Sequence, residues 1–75
     1  MTDYILELQS LLIAVTKHSC KVTHLAAHLA RPEVAEVGLT NKTGAEAVLL
    51  LLNKGMDLEA SNLASAVIRR LEHHY

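Results

Sequence analysis

All three glycines and the only proline of this chain lie between residues 32 and 55. Glycine and proline interrupt regular backbone more strongly than any other residues. Their clustering leaves a long stretch on either side free to be helical. In the first stretch Tyr4, Leu8, Leu11, Val15, His18, Val22, Leu25 and Leu29 recur at alternating steps of four and three. This heptad spacing marks one face of an α-helix. It predicts one helix from about Thr2 to Ala30, capped by Thr2 or Asp3. Pro32 ends it near Arg31, because the residue before a proline is pushed out of the helical region.

The same helix carries a second stripe, Leu6, Ile13, Cys20 and Ala27, each seven residues after the last. On a wheel of 100° per residue it lies well round from the first. Ile5, Leu12 and Ala26 widen the main seam, and the polar positions form only a narrow strip. A helix apolar on two sides is buried on two sides, which a single partner helix cannot achieve.

Past Pro32, Glu33 to Val37 suits a short turn and Gly38 to Lys42 a connecting loop. Thr43-Gly44-Ala45-Glu46 then fits a capping box that starts a second helix at Gly44. Leu49, Leu52, Met56, Ala60, Leu63, Val67 and Leu71 keep helical spacing to the end. Gly55 leaves two readings open. The helix runs through it at a cost of about 1 kcal/mol relative to Ala, or Gly55 closes one helix and Asp57 caps the next. The seam stays in phase across Gly55, which favours one long, kinked helix. The expected fold is an all-α helical hairpin with antiparallel arms on the order of 40 Å long. Tyr4 and Tyr75 then meet at its open end.

Hydrophobic residues make up 51% of the chain, with no Phe or Trp. So aliphatic a composition suits helix packing, and it exceeds what a lone hairpin can hide. The isolated chain is therefore expected to self-associate or to capture a partner helix. Seven Lys or Arg against eight Asp or Glu, without runs of like charge, give no reason to expect nucleic acid or an anionic membrane. Val22 to Thr40 has a faint helix-turn-helix layout, but Glu33 and Glu36 occupy its would-be reading helix. The longest apolar run, Ala47 to Leu52, falls far short of the roughly 20 residues a membrane span needs. The start, Met1-Thr2-Asp3-Tyr4, lacks the basic character of a signal peptide. A single cysteine calls for no oxidising compartment, and the expected location is cytoplasmic.

No set of residues suggests catalysis, a cofactor or a metal. His24 and His28 stand four apart but read as surface histidines, with a metal shared between subunits as the alternative. His18, polar within the main seam, is a candidate register-fixing or pH-sensing residue, or it sits at the rim in water. Cys20 has Lys17 and Lys21 nearby but no evident base, and reads as a small buried hydrophobe. Arg69-Arg70 suits the negative end of its own helix. The expected function is a non-enzymatic protein-binding module. Its partner or self-association surface comprises Leu6, Ile13, Cys20 and Ala27 together with Leu8, Leu11, Val15 and Val22. The alternative is a homo-oligomer that sequesters a small ligand between subunits through His24, His28 and Arg69 or Arg70.

Leu6, Leu8, Leu11 and Leu12 in the first arm, then Leu58-Glu59-Ala60, Ala64, Val67-Ile68 and Tyr75 in the second, form a pattern over most of the chain. It resembles the small E-type helical-hairpin chaperones of type III secretion needle subunits. The chain departs from them in its Ala and His content, in Gly55 and in lacking strongly charged outer faces. The resemblance implies a secretion co-chaperone or similar adaptor that holds an aggregation-prone partner helix. Leu49 to Asn62 is also similar to the end of an ankyrin repeat, but no second repeat follows, and a single repeat cannot bury its faces alone.

Overall fold

Each of the two expected arms is broken once. A computed structural model describes residues 3–73. Its elements are α1 (Asp3–Thr16), α2 (Val22–Leu29), a 3₁₀ helix (Pro32–Val37), α3 (Leu39–Asn53) and α4 (Asp57–Glu72). No strand occurs among the described residues, and the fold is all-α. Thr2, His74 and Tyr75 lie outside them, as does the expected meeting of Tyr4 with Tyr75.

The single helix expected over residues 2–30 stops at Thr16. Four of the five residues from Thr16 to Cys20 are weak helix formers, and their side chains compete for backbone partners. Thr16 Oγ1 donates to the carbonyls of Leu12 and Ile13 at 2.9 and 3.0 Å, and Ser19 Oγ donates to Ala14 O at 3.2 Å. The backbone then closes in a Schellman motif, with Ser19 N donating to Ala14 O and His18 N to Val15 O. His18 occupies the left-handed position of this motif at φ 59°. It is a helix terminator rather than a member of a continuous seam, and its side chain is 68% exposed.

The second break has the same form. Met56 N donates to Leu51 O and Gly55 N to Leu52 O, with Gly55 at φ 76°. Helical phase persists across Gly55 in the sequence, but the chain turns back there, and Asp57 becomes the first residue of α4 rather than its cap. The expected capping box does not form either. α3 starts at Leu39, five residues before Gly44, and Thr43 lies inside it. Gly38, at φ 85°, makes the turn, and Asn41 Nδ2 donates to Val37 O at 2.7 Å. Glu46 pairs with Lys42 at 3.6 Å.

The four helices cover one another. α1 lies against both α2 and α4, α2 against α3, and α3 most extensively against α4. α1 and α4 run antiparallel: Gln9 Nε2 reaches Ile68 O at 3.4 Å, and His18 Nε2 lies 3.3 Å from Asp57 Oδ2. Folding each arm back shortens the molecule to 32 Å in its longest dimension, below the 40 Å expected of hairpin arms. Tyr4, Ile5, Leu8, Leu12 and Val15 of α1 enter a common core with Leu25, Val37, Val48, Val67 and Leu71. α3 and α4 approach closely at Gly44, where a Cβ would sit 2.7 Å from Val67 Cγ2 and 3.2 Å from Arg70 Nη2.

Two substitutions test this architecture. Glycine tolerates the left-handed region without the steric cost borne by His18, and an exposed ion pair contributes little. His18→Gly is therefore expected to stabilise the fold by about 0.5–1 kcal/mol in urea unfolding; a lower midpoint would contradict the helix end described here. Gly44→Ala gains about 1 kcal/mol of helix propensity. It also meets the stiff, buried Val67 side chain, and overpacking costs about 1–3 kcal/mol. The expected outcome is net destabilisation, and a higher urea midpoint would place the two helices further apart.

Candidate protein-binding surface

The heptad pattern of α1 separates into an inner and an outer face. Leu8 and Val15 are buried in the chain's own core, and Leu11 is half-buried against it. On the opposite side Leu6 remains 47% and Ile13 41% exposed. They are seven residues apart, and the exposed Ser10 lies between them. At 100° per residue Leu6, Ser10, Ile13 and Lys17 form a single row, flanked by the exposed Glu7. Ala27 is exposed on α2, Cys20 is half-buried between the helices, and Val22 is half-buried at the start of α2. The eight residues expected to form one surface are thus divided between core, outer face and a different helix. Because α1 ends at Thr16, Leu6 and Ile13 are the only members of the seven-residue stripe that share a helix.

Other large apolar side chains are exposed elsewhere: Leu39 and Leu50 on α3, Met56 just before α4 and Leu58 on α4. Of the apolar run Val48 to Leu52, Val48 is fully buried, Leu49, Leu51 and Leu52 are half-buried, and only Leu50 is exposed. The four-helix arrangement hides more apolar surface than a simple hairpin would.

No family model, curated protein or solved structure matches this chain. Its own geometry is therefore the guide to its polar groups.

His28, expected at the surface, is 5% exposed. Its ring stacks on Tyr4 with centroids 3.8 Å apart. The Tyr4 hydroxyl donates to the His28 carbonyl, and His28 Nε2 donates to the Tyr4 carbonyl at 3.3 Å. The Arg31 guanidinium lies 5.8 Å from the centre of the Tyr4 ring. Tyr4 thus fastens the start of α1 to the end of α2. Burial lowers the His28 pKa below its ordinary value and outweighs the Tyr4 carbonyl, Glu7 and Glu33, which favour the charged form; Arg31 adds to the depression. Burial likewise raises the Tyr4 pKa.

His24 is exposed, and its Nδ1 lies 3.2 Å from Cys20 Sγ. This thiol–imidazole pair was not anticipated, although its i,i+4 spacing was visible in the sequence. Arg69 and Arg70 both lie in the last turn of α4, facing the negative end of its dipole. Arg70 also bridges to α3, donating from Nε to Asn41 Oδ1 at 3.1 Å. The groups named for ligand sequestration are thus turned toward partners within the chain, apart from Arg69. Among the described residues no three His, Cys, Asp or Glu side chains gather as a metal site would require. No described helix is long and apolar enough to cross a membrane.

The His28 geometry has a pH consequence. Its folded-state pKa lies below the unfolded value of 6.5, so the unfolded chain binds the additional proton more readily. The contribution of neutral His28 is fully present above that value and is lost as pH falls below it. Glu33 acts later. Its carboxylate pKa is lowered by its own backbone N–H and by Arg31, so its contribution is lost only through the acid carboxylate range. Urea midpoints are expected to fall between about pH 7.5 and 5.5. His28→Gln, which keeps a donor for Tyr4 O without titrating there, is expected to flatten that slope. An unchanged slope would place the titration elsewhere.

Proposed function

We propose that this chain is a small, non-enzymatic, protein-binding helical module that engages a partner helix through the outer face of α1. One observation carries the reading: α1 buries its inner apolar residues in the chain's own core yet keeps Leu6 and Ile13 exposed in one row. A half-exposed Leu-sized side chain forgoes a substantial part of the roughly 1.5–3 kcal/mol that full burial provides. Two of them on one rigid helix, with the small Ser10 between, suit the i, i+3, i+4, i+7 anchoring of helix-to-helix recognition. The resemblance to type III secretion needle-subunit chaperones is compatible with such a role and supplies a class of partner, an aggregation-prone helix. A cytoplasmic adaptor or co-chaperone is the corresponding cellular role.

The test is site-specific photo-crosslinking in the producing cell, with the crosslinker at Ser10 and, as a control, at Asn53 on α3. Mass spectrometry of the adducts is expected to recover a recurrent protein from Ser10 and not from Asn53. Leu6→Asp together with Ile13→Asp is expected to reduce that adduct at least about tenfold, in line with loss of a central apolar anchor. Equal labelling at both positions, or adducts indifferent to the double substitution, would refute the proposal.

A further inference from the structure

The first turn of α1 is held by a different kind of contact from the rest of the helix. Tyr4 in that turn and His28 in the last turn of α2 are both buried. Their rings stack, and each side chain donates a hydrogen bond to the other's carbonyl. His28 commits the N–H on Nε2 to Tyr4 O. Among the described residues its other ring nitrogen, Nδ1, has no hydrogen-bond partner. A second ring proton therefore finds no acceptor while the contact is closed. Charged groups face it from several elements. Glu7 of α1 and Glu33 of the 3₁₀ helix attract a charged ring, but Glu33 is paired with Arg31 at 3.2 Å, and Arg31 repels such a ring. On α2 His24 is turned to Cys20, and on α3 Lys42 and Glu46 pair with each other at 3.6 Å.

From Leu8 onward α1 is anchored by the buried Leu8, Leu12 and Val15 and by Gln9 reaching Ile68. Before Leu8 only Tyr4 and Ile5 enter the core, while Leu6 and Glu7 are exposed. Helix ends open at much lower free energy than a core does, so loss of one buried polar contact is felt first in this turn. We infer that Tyr4 and His28 form an acid-released latch: protonation of His28 frees the first turn of α1, residues 3–7, from the end of α2 while the remaining helices stay packed. Once released, His28 meets water and takes a proton near its ordinary value of 6.5, whereas burial disfavours that proton in the closed contact. Release is therefore promoted as pH falls through that value and opposed above it. The freed turn uncovers Tyr4 and Ile5 and takes Leu6 out of the row it shares with Ile13. Only this last consequence rests on the reading of α1 as a binding face; the release itself needs no partner.

Amide exchange followed by NMR on the full chain between pH 7.5 and 5.5 tests the latch. Within the helix the N–H groups of Leu8 and Gln9 donate to the carbonyls of Tyr4 and Ile5, so their exchange reports on the first turn. At both pH values their protection is expected to lie at least about tenfold below that of the best-protected amides of α3 and α4, because the turn opens without the core. After correction for the intrinsic pH dependence of exchange, it is expected to fall at least about threefold further at pH 5.5. The midpoint of that fall is expected to track the His28 ring titration read from the same samples, and the fall is expected to vanish in His28→Gln. Protection equal to that of the core overturns the inference, since the turn then opens only with the whole molecule. So does a pH-independent protection, or a midpoint that follows another histidine. These three comparisons use the parent alone and hold even where His28→Gln does not fold. Crosslinking from Ser10 at neutral pH is decided separately, so failure of the latch and failure of the binding face are told apart.

Discussion

Everything in this fold depends on two residues that leave a helix in the left-handed conformation. His18 and Gly55 each close a helix with the same pair of backbone hydrogen bonds, and each lets the chain reverse. Without the first reversal, one helix would carry apolar residues on two sides with nothing to cover them. With it, α2 folds onto α1, and with the second α4 folds onto α3. Both turns sit at the same end of the molecule, where His18 meets Asp57. The two sites differ in steric demand. Glycine occupies this region freely, whereas histidine carries a Cβ that makes it unfavourable. The surrounding hydrogen bonds of Thr16 and Ser19 support the first turn and replace the glycine it lacks.

The opposite end is fastened by polar groups. Tyr4 and His28 exchange hydrogen bonds through their backbones and stack their rings, while Asn41 links the Val37 carbonyl to Arg70. Buried polar groups are costly when unpaired, so each contact selects one arrangement of the helices over neighbouring ones. Gly44 adds a steric criterion, since only a residue without a side chain allows α4 to approach α3 at Val67. The aliphatic core supplies most of the driving force, and these few contacts set its register.

The outer face of α1 is what this arrangement leaves over. Chain reversal consumes the inner seam and part of the seven-residue stripe, so a surface that looked broad contracts to Leu6, Ser10 and Ile13. A narrow apolar face on one helix is consistent with the reversible helix binding proposed above. The remaining exposed large apolar residues, Leu39, Leu50, Met56 and Leu58, lie on other segments of the chain.

The all-α class, a short turn after Pro32 and the inner seam of Leu8, Val15, Leu25, Val67 and Leu71 were legible in the sequence. Periodic burial and proline stereochemistry are local properties that spacing reveals. The break at Gly55 stood as one of two readings, because a glycine in phase with its neighbours either continues a helix or ends it. The break at His18 was not legible, because histidine only rarely takes the left-handed conformation and the heptad repeat runs through it unbroken. The start of α3 was misplaced for a related reason: the Thr43–Glu46 pattern is a local signal, overridden by Asn41 reaching Val37 and Arg70. His28 looked like a surface residue until the fold set Tyr4 against it, 24 positions away in the chain. The sequence by itself determined which residues are apolar enough to be buried and that they lie on helices. Only the tertiary structure decided where those helices stop and which apolar face remains uncovered, because both depend on free energy gained between segments distant in the chain.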